Sequence, residues 1–156
     1  MNQNDLLKLL KNLIIPVLGI SFFLTFSCKK EDSQPKEQKI NTTANSFGVG
    51  PIQSKIELGP LDNALAQKGE KIFNEKCTAC HKIEERYVGP PIKDVTKRRT
   101  PEWIMNMILE PIKMTQEDPQ AKELLAEYLT QMTNQNISQE EARAILEYFR
   151  KIDQTN

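Results

Sequence analysis

Two thiols three positions apart, followed at once by an imidazole, form the segment Cys77-Thr78-Ala79-Cys80-His81. On a single helical turn the thiols lie near one another, so both can add to groups along one edge of a planar ring. Cys-x-x-Cys-His is the attachment sequence for a covalently held c-type haem. The two sulfurs add to the porphyrin vinyl groups while the next residue presents an imidazole to the iron. His81 is the only histidine in the chain, so no other imidazole competes for that place. The segment therefore predicts one covalent haem c and a one-haem electron carrier. A structural zinc site would need four Cys or His ligands, and the pool is Cys28, Cys77, Cys80 and His81, with Cys28 assigned elsewhere below. A thioredoxin-like redox pair would sit beside a strand–helix–strand pattern, and the segments around Cys77 show helical spacing instead.

Helices must position that segment, and four can be argued. The first runs from about Asn63 to Cys77 behind Asp62 as cap, with Leu65, Ile72 and Phe73 on one face. The second opens at Thr100-Pro101-Glu102, a cap followed by Pro at the first helical position, and ends at Pro111. A third starts at Asp118-Pro119. The fourth begins with the capping box Ser138-Gln139-Glu140-Glu141 and buries Ala142, Ile145, Leu146, Phe149 and Ile152. The expected fold is all-α, with about four helices wrapped around the haem. Residues 61–153 form this domain, of a size suited to one core.

The N-terminus reads as an export signal over residues 1–27. Lys8 and Lys11 supply its positive start, and Leu13 to Phe26 is almost wholly apolar before Ser27-Cys28. That run is short of the roughly 20 residues a spanning helix needs. Leu24-Thr25-Phe26-Ser27-Cys28 resembles a bacterial lipobox, which implies cleavage before Cys28 and lipid attachment there. Several acyl chains would hold the mature protein on a membrane, since one gives only marginal binding. Residues 28–60 are rich in Lys, Glu, Ser, Gln, Asn, Gly and Pro and read as a flexible tether. Covalent haem attachment of this kind is, by family resemblance, carried out outside the cytoplasm. The signal and the haem motif thus agree on the periplasmic side of a bacterial membrane.

The other side of the iron needs a ligand, and the candidates are Met105, Met107, Met114 and Met132. Met105 and Met107 fall inside the second helix, where methionine ordinarily packs. Met114 and Met132 fall between predicted helices, where a side chain can be aimed at a metal. From Gly69 onward the chain resembles a class I bacterial cytochrome c domain. The likeness rests on Gly69-Glu70-Lys71-Ile72-Phe73, Cys77 to His81, Val88-Gly89-Pro90, Trp103, Met132 and the closing Ala144 to Phe149. It implies that Gly69 and Phe73 pack across Tyr148 or Phe149, and that the Pro90 carbonyl holds the second ring nitrogen of His81. It also implies Met132 as the distal ligand, although Thr133 stands where that family usually has proline, and Met114 is the other candidate. Trp103 is implied to donate to a haem propionate, with Arg98 or Arg99 as charge partners.

With His and Met both bound the iron has no vacant position, which suits outer-sphere electron transfer and raises the reduction potential. An open distal site would instead suit a haem-based sensor or a peroxide-reactive haem protein. Acidic and basic side chains number 21 each, and such balance excludes nucleic acid as a partner class. Lys82, Arg86, Lys93, Lys97, Arg98 and Arg99 cluster around and after the haem peptide, where an acidic redox partner could meet them. The expected role is a membrane-anchored, non-enzymatic carrier between a respiratory donor and a terminal reductase or oxidase. Arg98 to Ile104 and Asn134-Gln135-Asn136 resemble small cytochromes associated with nitrous-oxide reduction, which implies nitrous-oxide reductase as a partner.

Overall fold

Asp62 holds the incoming chain extended, and its carboxylate accepts from the backbone N–H groups of Ala64 and Leu65 at 2.9 and 3.0 Å. That cap starts the first helix of a computed structural model that describes residues 47–155. Six helices follow one another: α1 Asn63–Lys76, α2 Val95–Arg98, α3 Pro101–Leu109, α4 Pro111–Glu117, α5 Pro119–Tyr128 and α6 Gln139–Gln154. The described residues contain no strand, in keeping with the all-α expectation. Residues 1–27, Cys28 and the first part of the predicted tether lie outside the described residues. Among the described residues no helix is long and apolar enough to cross a membrane.

Two helices exceed the four expected. Pro111, read as a stop, is the first residue of α4, where its missing N–H costs nothing and its fixed φ suits the helix. Met114 is consequently on a helix and not in a loop. The four-residue α2 is too short to show a hydrophobic period. It is held from a distance: the Asp153 carboxylate on α6 accepts from the N–H groups of Asp94 and Thr96 and from the Thr96 hydroxyl.

The frame is the crossing of α1 and α6. Gly69 makes it possible, because a methyl at that position would overlap the Ala144 carbonyl. The close approach brings Phe73 edge-on to Phe149, centroids 5.7 Å apart, and tilted against Tyr148 at 5.6 Å. The start of α6 carries the expected capping box, with Ser138 N–H donating to Glu141 Oε2 and Glu141 N–H to Ser138 Oγ. Beside the crossing, the fully buried Glu147 carboxylate accepts from Arg143, Arg150 and the Asp62 N–H.

Residues 47–58, read from sequence as the end of the tether, lie on this frame. Asn106 acts as a clamp: its Oδ1 accepts from Ile52 N–H at 2.9 Å, and its Nδ2 donates to the carbonyls of Phe47 and Ile52. Ile52 is buried, and the Val49 N–H donates to the Met114 sulfur at 3.0 Å. The contact brings Gly48 so close to Met114 and Trp103 that a methyl there would sit 2.6 Å from Met114 Cε.

Candidate functional site

Cys77 is the C-cap of α1, its N–H donating to the Phe73 carbonyl. The chain continues to turn, with the N–H groups of Cys80 and His81 both donating to the Cys77 carbonyl at 3.0 and 2.9 Å. One tight turn thus brings two sulfurs and an imidazole to the end of a helix anchored in the α1–α6 crossing. Burial pushes the Cys77 thiol above its ordinary range, with the Lys76 charge opposing. Cys80 is exposed.

The His81 ring is set by the segment that faces it. Gly89 N–H donates to the Cys80 carbonyl at 2.8 Å, which folds residues 87–91 back over the motif. A side chain on Gly89 would place its first carbon 2.6 Å from His81 Cε1, so the ring fits only because none is there. His81 Nδ1 lies 3.0 Å from the Pro90 carbonyl oxygen. A carbonyl can only accept, so Nδ1 carries the proton and the Nε2 lone pair is left for a metal.

These groups border a cavity of about 610 Å³, within the usual range for a small-molecule or cofactor site. Phe73, Ile104, Leu124, Ile145 and Phe149 contribute apolar wall; Cys77, Cys80, His81, Pro90 and Met132 also line it. Met114 does not. It is fully buried on α4 beneath Gly48, its sulfur occupied by the Val49 N–H. Met132 sits in the irregular stretch between α5 and α6. The described residues contain no group of three or more His, Cys, Asp or Glu side chains placed to hold a metal ion.

Trp103 departs from its expected role. The buried ring lines the cavity, and the indole N–H donates to the Asp118 carboxylate at 3.0 Å. Buried indole and buried carboxylate each need a partner, and here they satisfy one another. Asp118 also caps α5 by accepting from the Ala121 N–H at 2.9 Å. Arg98 and Arg99 do reach the cavity, and the Arg99 guanidinium lies 5.0 Å from the Trp103 ring centroid. Sequence reasoning placed Asp118 only at the start of a helix, because its side-chain partner is 15 positions away. The Asn106 clamp was missed entirely, since an Asn inside a helical pattern carries no local signal for its distant partners.

An apolar cavity bordered by two thiols and a metal-ready imidazole fits a covalently attached porphyrin. Comparison with known proteins agrees. The family model for cytochrome c matches residues 66–153. The solved structure of a cytochrome c from Rhodothermus marinus is 48% identical, covering 71% of this chain and 96% of that one, with a TM-score of 0.68. An engineered form of that cytochrome is 48% identical over 70% of this chain and 95% of the other, with a TM-score of 0.66. A cytochrome c-551 from Stutzerimonas stutzeri is 47% identical over 39 residues, 24% of this chain. That match spans 38% of the curated relative's length.

Proposed function

The chain belongs to the cytochrome c family, and from that premise we propose a lipid-anchored carrier, ligated by His81 and Met132, that passes electrons between a respiratory donor and a terminal reductase or oxidase. Its coarser role, a monohaem c-type electron carrier with covalently bound haem c, follows from the family itself.

When bound, haem c supplies a one-electron iron couple. Cys77 and Cys80 hold it through thioethers, so the chain cannot lose it between partners. His81 offers Nε2 as a ligand, and the Pro90 carbonyl keeps the ring oriented and the imidazole basic. Met132 would offer a neutral sulfur donor to the iron, which would favour the reduced state. Phe73, Ile104 and Phe149, as apolar cavity wall, would keep water from the bound group. Arg98 and Arg99, which reach the cavity, would supply positive charge for the propionates.

Met107 and Met132 line the cavity and Met114 does not. Met107 is fixed within α3, whereas Met132 lies in the irregular stretch between α5 and α6, where a side chain can be aimed at the iron, and this supports the ligand assignment. Met132→Ala should lower the reduction potential, abolish the far-red charge-transfer band of Met-ligated ferric haem, and open the reduced iron to carbon monoxide. Retention of band and potential would move the ligand role to another methionine, whereas a wild-type protein that lacks the band and binds carbon monoxide rapidly when reduced would fit the open-site reading, as a sensor or peroxide-reactive haem protein.

Anchoring at Cys28, the periplasmic location and the partners rest on the sequence. The basic cluster supports an acidic partner less strongly than its sequence suggests. Arg86 pairs with Glu127, Lys93 with Glu84 and Lys97 with Asp94, which offsets half of the six charges in the cluster. Nitrous-oxide reductase is the specific acceptor proposed.

A further inference from the structure

Thr115 is buried on α4 and reaches the cavity wall. Its hydroxyl donates to Gln131 Oε1 at 2.9 Å. The same hydroxyl lies 3.0 Å from the Pro111 carbonyl and 2.9 Å from that of Ile112. Those carbonyls belong to α4 and are placed to accept from N–H groups of the helix itself. The other end of the Gln131 amide donates from Nε2 to the Met132 carbonyl at 3.0 Å, which fixes which way the amide faces. Two hydrogen bonds in series therefore run from a buried helix to the peptide that carries Met132.

We infer that Thr115 and Gln131 are positioning residues that hold Met132 ready for the iron, an inference that rests on the reading of Met132 as distal ligand. The stretch from Leu129 to Ser138 has no helix or strand to order it. A ligand on such a segment loses conformational freedom when it binds, which weakens its hold on the metal. The brace imposes that order beforehand, so the thioether acts at a higher effective concentration. Because Gln131 is exposed, water competes for its bonds and the effect is modest.

Exogenous imidazole must displace Met132 to reach the ferric iron, so its affinity reports how firmly the methionine is held. Gln131→Leu and Thr115→Val should each raise that affinity about three- to tenfold, as expected for loss of one such bond. The far-red band should weaken in parallel. Both changes break the same link, so the double variant should gain little beyond Gln131→Leu. Thr115→Ser keeps the hydroxyl and should stay near the wild-type value, although, unlike Thr115→Val, it removes a buried methyl. Met132→Ala, measured alongside, marks the fully open limit. Wild-type imidazole affinity and band in Gln131→Leu, beside a clear gain in Met132→Ala, would overturn the brace while leaving the ligand reading intact. No gain in Met132→Ala would mean that the ligand reading itself has failed, and the brace with it. Should Thr115→Val not fold, Gln131→Leu at its exposed position decides the matter alone.

Discussion

His81 owes its chemistry to two neighbours that have almost no side chain to offer. The Pro90 carbonyl fixes the proton on Nδ1, and Gly89 leaves the space in which the ring stands. Gly89→Ala should therefore act on the ring first. With a methyl 2.6 Å from Cε1 the imidazole must turn or shift, at a cost of about 1–3 kcal/mol. The expected result is a lower haem-to-protein ratio and an altered reduction potential; an unchanged ratio and potential would contradict it. The Cys77 to His81 motif was legible in the sequence because its chemistry is local, with all the reacting atoms within five positions. Trp103 was not, because the destination of a buried N–H depends on which carboxylate the fold brings up, and Asp118 arrives from the next turn of the chain but one. Met114 was misread for a related reason: a helix that begins at proline looks like a helix that ends there.

At the scale of elements, α1 and α6 determine where the haem motif can be. Their crossing was implied by the family resemblance that Gly69, Phe73 and the closing aromatic pair carry, and the capping box marked the start of α6 to the residue. The buried charge beneath it was not, since Glu147 sits on α6 among residues that a helical pattern alone does not distinguish. Burial pushes the Glu147 carboxyl up, but the Asp62 N–H, Arg143 and Arg150 outweigh burial and hold it below the ordinary carboxylate range. A depressed folded-state pKa means stability that is present above the unfolded-state value and lost as pH falls through the folded one. Glu147→Gln should therefore destabilise the domain at neutral pH by about 1–3 kcal/mol. The gap from wild type should narrow on acidification, as read by urea unfolding at several pH values. A gap that stayed constant into the acid range would show that Glu147 contributes nothing linked to its ionisation.

At the scale of the whole molecule, the chain leading into the domain is partly structural. Residues 47–58, within the stretch 28–60 read as a tether, are fastened through Asn106 and Ile52 and belong to the folded domain. Composition suggested flexibility there because Gly, Pro and Asn are common in loops whether or not something holds them. If Cys28 carries lipid, Cys28→Ser should move the protein from the membrane to the soluble periplasmic fraction with its haem spectrum intact. Continued membrane retention would instead point to an uncleaved N-terminal anchor. The central claim, that Cys77 and Cys80 hold one haem beside the lone imidazole, is tested most directly by intact mass spectrometry of the exported protein under denaturing conditions after thiol alkylation. The expected mass is that of the processed chain plus one haem, with neither Cys77 nor Cys80 alkylated. A haem-free chain with both thiols alkylated would contradict it.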